Sequence, residues 1–169
     1  MVSTARRIVF AVPGDLDTPT GGYAYDKRVV HELRRRGRSV DVLDLGAGFP
    51  RPDAAGRAAA LDMLQQVPAG TPTVIDGLAY GVLPELAATV CRRVPVIALV
   101  HHPLALESGL LPDEAVRLRE TERVALAGAR AVVVTSEATA RLVAADYGVA
   151  ADRITVAPPG TDRPPPPRA

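Results

Sequence analysis

A chain of 169 residues, 47% hydrophobic and 23% charged, is long and apolar enough to fold as one domain around a real core, which excludes a disordered sequence. A net charge of +1 and an aromatic content of 4%, without Trp, exclude whole-chain attraction to nucleic acid or an anionic membrane and leave few platforms for stacking bases. Cys91 is the only cysteine, which excludes an internal disulfide and a cysteine-built metal site.

The opening MVSTARR leads into an apolar run, Ile8 to Val12, without the core of a signal peptide. No apolar run approaches membrane-spanning length, so a cytoplasmic protein without a transmembrane segment is expected. The run breaks at Pro13-Gly14, passes through a polar loop to Gly21-Gly22, and becomes helical from Tyr23, with Val29, Val30 and Leu33 on one stripe. This is strand, glycine-rich loop, helix. It contains neither G-x-G-x-x-G nor a Walker pattern, so neither a dinucleotide nor an NTP follows from it. Gly21 and Gly22 either make a tight turn or let a ligand approach the backbone at a helix start. Arg34, Arg35 and Arg36 suit the negative end of this helix, and Gly37 suits the position just past it.

Ser39 to Leu45 alternates and reads as the second strand; Ala54 to Val67 is a helix; Thr73 to Asp76 is a third, short strand. A helix is predicted over Val82 to Arg93, with Pro84 in its first turn and Cys91 as a buried, inert thiol among Leu86, Ala87 and Val90. Pro95 to Val100 is a continuous apolar run, as a strand covered on both faces requires. A long helix follows from Pro112 to Ala127, with Asp113 and Glu114 in its first turn. Ala131 to Thr135 is another buried strand, Ser136 caps a helix ending near Tyr147 at Gly148, and Arg153 to Ala157 is the last strand. Arg163 to Ala169 contains four consecutive prolines and reads as the stub of a linker, so residues 1–162 are expected to form the domain.

Strands alternating with helices predict an α/β fold: a doubly wound, Rossmann-like parallel sheet in three α/β/α layers with right-handed crossovers. The strand order expected is 3-2-1-4-5-6. There is no internal repeat. The unusual polar groups follow the strands: Gly21-Gly22 after the first, Asp76 after the third, His101-His102 after the fourth, Ser136 after the fifth. All belong to the rim where parallel sheets bind ligands. Taken singly, Asp76 could cap the next turn, Ser136 is an N-cap, and either histidine could be a satisfied polar group under a loop. A histidine there can donate a hydrogen bond to a hydroxyl or anion, or act as general acid or base. Glu107 is close enough in sequence to join from the loop. Adjacent His101 and His102 point oppositely on an extended strand and are poor co-ligands, so neither a metal nor a cofactor is expected.

Four stretches together resemble a known family. The Gly21-Gly22 loop entering a helix, PVIALVH through His101, AVVVTSEATARL around Ser136, and ITVAPPGTD from Ile154 to Asp162 are similar to the N-terminal domain of a GT4-type retaining glycosyltransferase with the GT-B fold. In the last stretch Pro159 and Thr161 replace the family's asparagine and valine. The resemblance implies that His101 is catalytic, contacting the transferred sugar. It implies that the Gly21-Gly22 loop lies beside the acceptor and approaches the donor phosphate, and that His102 shares in acceptor binding; Tyr23, Asp76, Glu107 and Ser136, from their place at the rim, are the further expected binding residues. The donor would be a nucleotide sugar held by a second domain or subunit. The acceptor, lipid-linked or a free small molecule, is not specified. A location at the inner face of a membrane is compatible with such an acceptor. Without its donor half the chain is expected to be inactive. The competing expectation is a stand-alone Rossmann- or flavodoxin-like module that binds a small anion or a partner protein without catalysis.

Overall fold

The computed structural model describes residues 7–161. Asp162 and the proline-rich stretch expected to be a linker lie outside them. Six strands, β1 (Arg7–Val12), β2 (Ser39–Asp44), β3 (Thr73–Asp76), β4 (Val96–Val100), β5 (Ala131–Val134) and β6 (Ile154–Val156), form one sheet. Every neighbouring pair is parallel. The α/β Rossmann-like architecture is therefore present. Five helices connect the strands: α1 (Gly21–Arg35), α2 (Ala54–Gln65), the single turn α3 (Gly77–Tyr80), α4 (Pro112–Gly128) and α5 (Glu137–Tyr147). Among the described residues no helix is long and apolar enough to cross a membrane.

The strand order is β2-β1-β3-β4-β5-β6, which corrects the expected 3-2-1-4-5-6. Burial explains the difference. In β3, Thr73, Ile75 and Asp76 are buried and Val74 is partly covered, so this strand needs neighbours and layers on all sides. β2 buries only Val40; Ser39, Asp41, Val42 and Asp44 are exposed, which an edge position tolerates. The chain thus crosses from β2 over β1 to β3. The direction of winding reverses between β1 and β3, and a crevice opens above their carboxyl ends.

The two faces are unequally covered. On one, Ala11, Ile75, Ala98 and Val132 pack against α2, α4 and α5 through Leu64, Leu126 and Val143. On the other, Phe10, Val12, Val40 and Leu99 pack against Val30 of α1, with Val29 and Leu33 partly covered beside it. Helix α1 begins at Gly21, not Tyr23, because the Thr20 side chain caps the N–H of Tyr23 at 3.2 Å. Gly37 follows the helix end with φ +76°, the left-handed conformation expected of it.

The predicted helix over Val82 to Arg93 is absent. That stretch forms two separate 3₁₀ turns, Pro84–Ala87 and Val90–Arg92. Thr89 between them has φ −114° and ψ −83°, outside the helical region, so the repeat cannot propagate. Cys91 is only partly buried, and its Sγ lies 3.4 Å from the Tyr80 hydroxyl. Burial raises its pKa, which keeps the thiol protonated, as an inert cysteine requires.

Candidate functional site

Three elements meet at the crevice. His101 follows β4, and its carbonyl accepts from Thr135 Oγ1 at 3.1 Å, which ties the backbone there to the end of β5. The imidazole turns toward α1. Its Nε2 donates to Asp26 Oδ1 at 3.0 Å and lies 3.6 Å from Asp76 Oδ2. Tyr25 meets the ring edge-on, centroids 5.3 Å apart and planes at 86°. The Tyr25 hydroxyl in turn donates to the Ala157 carbonyl at 2.8 Å. The His101 ring is thereby fixed on several sides, yet its side chain keeps 22% of its surface exposed.

Asp26 and Asp76 are both 0% exposed. Asp76 does cap the next turn, its Oδ1 accepting from Leu78 N at 2.7 Å, and its other oxygen faces His101. Burial alone would disfavour a charged imidazole, but the bond to Asp26 and the nearness of Asp76 outweigh it and raise the His101 pKa from 6.5 to about 9. Burial lifts the Asp26 carboxyl to about 7, against the pull of the His101 bond and with help from the Asp76 charge. At neutral pH His101 is therefore a fixed, charged hydrogen-bond donor rather than a base waiting for a proton.

A cavity of about 240 Å³ lies against this cluster, lined by Thr20, Gly22, Tyr23, Asp76, Gly77, Leu78, His101, His102 and Glu107. Six of the residues singled out in the sequence are brought together there. Tyr23 donates to the Pro13 carbonyl, which orders the loop between β1 and α1. His102 diverges from His101 as expected: its Nε2 donates to the Leu106 carbonyl at 3.3 Å, inside its own loop. Gly22 is helical, not at positive φ, and a Cβ built on it would meet the His101 ring at 3.6 Å. A Cβ on Gly21 would meet nothing within 4 Å. Neither glycine is at positive φ, so neither is demanded by a tight turn.

Two sequence candidates stand apart. Gly21 opens on the other side of α1, onto a groove of about 1000 Å³ shared with Lys27, Arg36 and the segment 157–161. Ser136 caps α5, its Oγ accepting from Thr139 N at 3.0 Å, and is not among the residues that line the cavity.

Asp26 is the member of this cluster that sequence reasoning missed. A signal for it existed. Gly22, Asp26, Val30 and Leu33 fall one turn apart on a single stripe of α1, so a carboxylate interrupts an otherwise apolar face. Flanking Lys27 and Arg28 disguised it as part of a charged surface. Glu122 of α4 was missed for a similar reason; it is 1% exposed and its Oε2 accepts from Leu104 N at 3.0 Å, which anchors the loop that carries His102 and Glu107.

A profile comparison matches residues 21–163 to Glycosyltransferase Family 4. The chain belongs to that family. The match begins at the first residue of α1 and spans every strand from β2 onward, so the family 4 assignment covers the α1, Asp76 and His101 sides of the cavity alike. Among curated proteins no match was found.

Proposed function

We propose that this family 4 chain is the acceptor side of a nucleotide-sugar-dependent, retaining hexosyltransferase of the GT-B type. The observation that carries the reading is the convergence of Gly22, Asp76 and His101 on one cavity at the β1/β3 reversal, with His101 held by Asp26. In this reading His101 donates a hydrogen bond to a hydroxyl of the transferred sugar. Sugar transfer passes through an oxocarbenium-like transition state with positive charge on the ring. An imidazolium alone would oppose that charge, but Asp26 and Asp76 beside it cancel the repulsion while leaving the donor in place. His102 and Glu107 take the acceptor from the loop. The bare backbone at Gly22, on the cavity side of the start of α1, admits the acceptor and the donor phosphate. The nucleotide is held by a second domain or subunit, so residues 1–169 alone transfer no sugar.

The test uses the complete two-domain enzyme and steady-state kinetics with its nucleotide sugar. His101→Gln should lower kcat by about 10²–10⁴-fold, the usual worth of a positioned hydrogen-bonding or proton-transferring group, and change KM less. His102→Ala should act mainly on the acceptor KM. Near-wild-type kcat for His101→Gln would remove His101 from the reaction centre, and robust turnover by residues 1–169 alone would overturn the half-site reading.

A further inference from the structure

His101 rests against one face of α1. Gly22, Tyr25 and Asp26 stand at positions i, i+3 and i+4 of that helix and so share the face. Asp26 Oδ1 takes the bond from the His101 Nε2 at 3.0 Å. A Cβ built on Gly22 would touch the same part of the ring, Cδ2 at 3.6 Å and Nε2 at 3.7 Å. Tyr25 meets the imidazole edge-on, centroids 5.3 Å apart. Its ring packs, partly buried, against the Phe10, Val12, Val30 and Leu99 cluster. Its hydroxyl goes further and donates to the Ala157 carbonyl at 2.8 Å, 132 residues along the chain. Ala157 is where the chain leaves the sheet. Its N–H donates to the Val134 carbonyl at 2.8 Å, one bond beyond the β5–β6 pairing. Pro158 and Pro159 follow with no N–H to donate, and residues 158–161 are exposed. The exit is thus fixed at Ala157 from two directions, by β5 and by Tyr25.

We propose that Tyr25 is a positioning residue that ties the exit of the chain from the sheet to His101, so that α1 and residues 157–161 together set the direction of the imidazole. The inference rests on the reading above, in which His101 works on the transferred sugar and the donor-binding half follows that exit. Tyr25 is not among the residues that line the cavity; it faces the groove shared with residues 157–161. It therefore acts through His101 rather than on substrate. Its ring braces the imidazole, and its hydroxyl fixes where that ring can lie. Misplacing a positioned donor by about 1 Å can cost about 10²-fold in rate. Such a loss falls on the reaction step more than on binding.

Two variants separate the parts of the tie: Tyr25→Phe keeps the ring and removes the hydroxyl, and Tyr25→Leu removes both. In NMR spectra of residues 1–169, with no sugar present, Tyr25→Leu should move the His101 ring signals because an aromatic neighbour is lost. Tyr25→Phe should move them by a clear fraction of that shift, and the Ala157 carbonyl carbon should move upfield as its bond is lost. The His101 pKa should stay near about 9 in Tyr25→Phe, because Asp26 and Asp76 hold that proton. In the complete two-domain enzyme, Tyr25→Phe should lower kcat by about 10–10²-fold with KM little changed. His31→Ala, exposed on the same helix, should match wild type. Unmoved His101 signals in Tyr25→Phe would overturn the tie. So would a lowered thermal midpoint with near-wild-type kcat in that variant while His101→Gln is impaired, since Tyr25 would then be a packed ring only. A His101 pKa falling toward 6.5 in Tyr25→Phe would overturn it too, by showing that Tyr25 acts through Asp26. If His101→Gln itself keeps its kcat, the reaction-centre reading has failed, and the spectra alone decide the tie.

Discussion

At the scale of single residues, the Asp26–His101 pair makes two forecasts. Removing the Asp26 charge takes away the main support of the imidazolium, so Asp26→Asn should lower the His101 pKa from about 9 back toward its ordinary 6.5 or below, read by NMR titration of the ring. An unchanged pKa would show that Asp76 alone holds the proton. The stability of His101 variants also differs from what a rim side chain suggests. His101→Ala leaves little cavity, but it strips a partner from a buried carboxylate, which costs about 1–3 kcal/mol. Gln keeps a donor there and is the fairer probe of chemistry.

Glu122 makes a separate prediction about pH. Burial, opposed by the bond from Leu104 N, raises its pKa from 4.5 to about 7. The folded state therefore binds a proton that the unfolded state has already released. Its stabilising contribution is complete below about pH 4.5 and is lost as pH rises through about 7. Asp26 and His101 tilt the curve in the same direction, since both have raised values. Glu122→Gln keeps an acceptor for Leu104 N and cannot ionise, so its melting temperature should exceed wild type at about pH 8 and match it near pH 5. A constant offset between the two melting curves across that range would refute the assignment.

At the scale of elements, the stretch between β3 and β4 shows how packing overrode local pattern. Its apolar spacing reads as a helix, but α4 comes so close that a Cβ on Gly128 would lie 2.6 Å from the Ala87 Cα. That approach is open only to glycine, and it holds the Pro84–Ala87 turn under the end of α4. Gly128→Ala should therefore destabilise by about 1–3 kcal/mol through overpacking, despite the better helix propensity of alanine, as a denaturant midpoint would show. An increase in stability would mean that the turn moves away freely. By contrast, α1 and α5 followed their local signals. Thr20 and Ser136 cap them, and Gly37 and Gly148 take up positive φ just beyond them.

At the scale of the whole molecule, the strand order decides where the site lies. Because β3 sits beside β1, the loops after β1, β3 and β4 surround a single crevice, and Gly22, Asp76 and His101 face one another across it. In the expected order β2 and β1 would have separated β3 from β4, and Asp76 could not have met His101. The isolated chain should accordingly fold and melt cooperatively yet turn over no nucleotide sugar. Supplying a donor-binding half in trans or in cis should restore turnover if the half-site reading holds, as a transfer assay of the mixed halves would check.

The sequence by itself determined the α/β alternation, the strands and the main helices, because these rest on hydrophobic period, capping residues and turn glycines that act within a few residues of themselves. It also determined that Asp76 and His101 stand at the carboxyl ends of β3 and β4, since a strand's end is a local fact. Only the tertiary structure decided the neighbour of β3, the break-up of the helix over 82–93, and the union of Asp26 with His101. Each of these depends on which surfaces meet across long separations in the chain. A buried carboxylate on an amphipathic helix looks like any surface charge until the element that covers it is known.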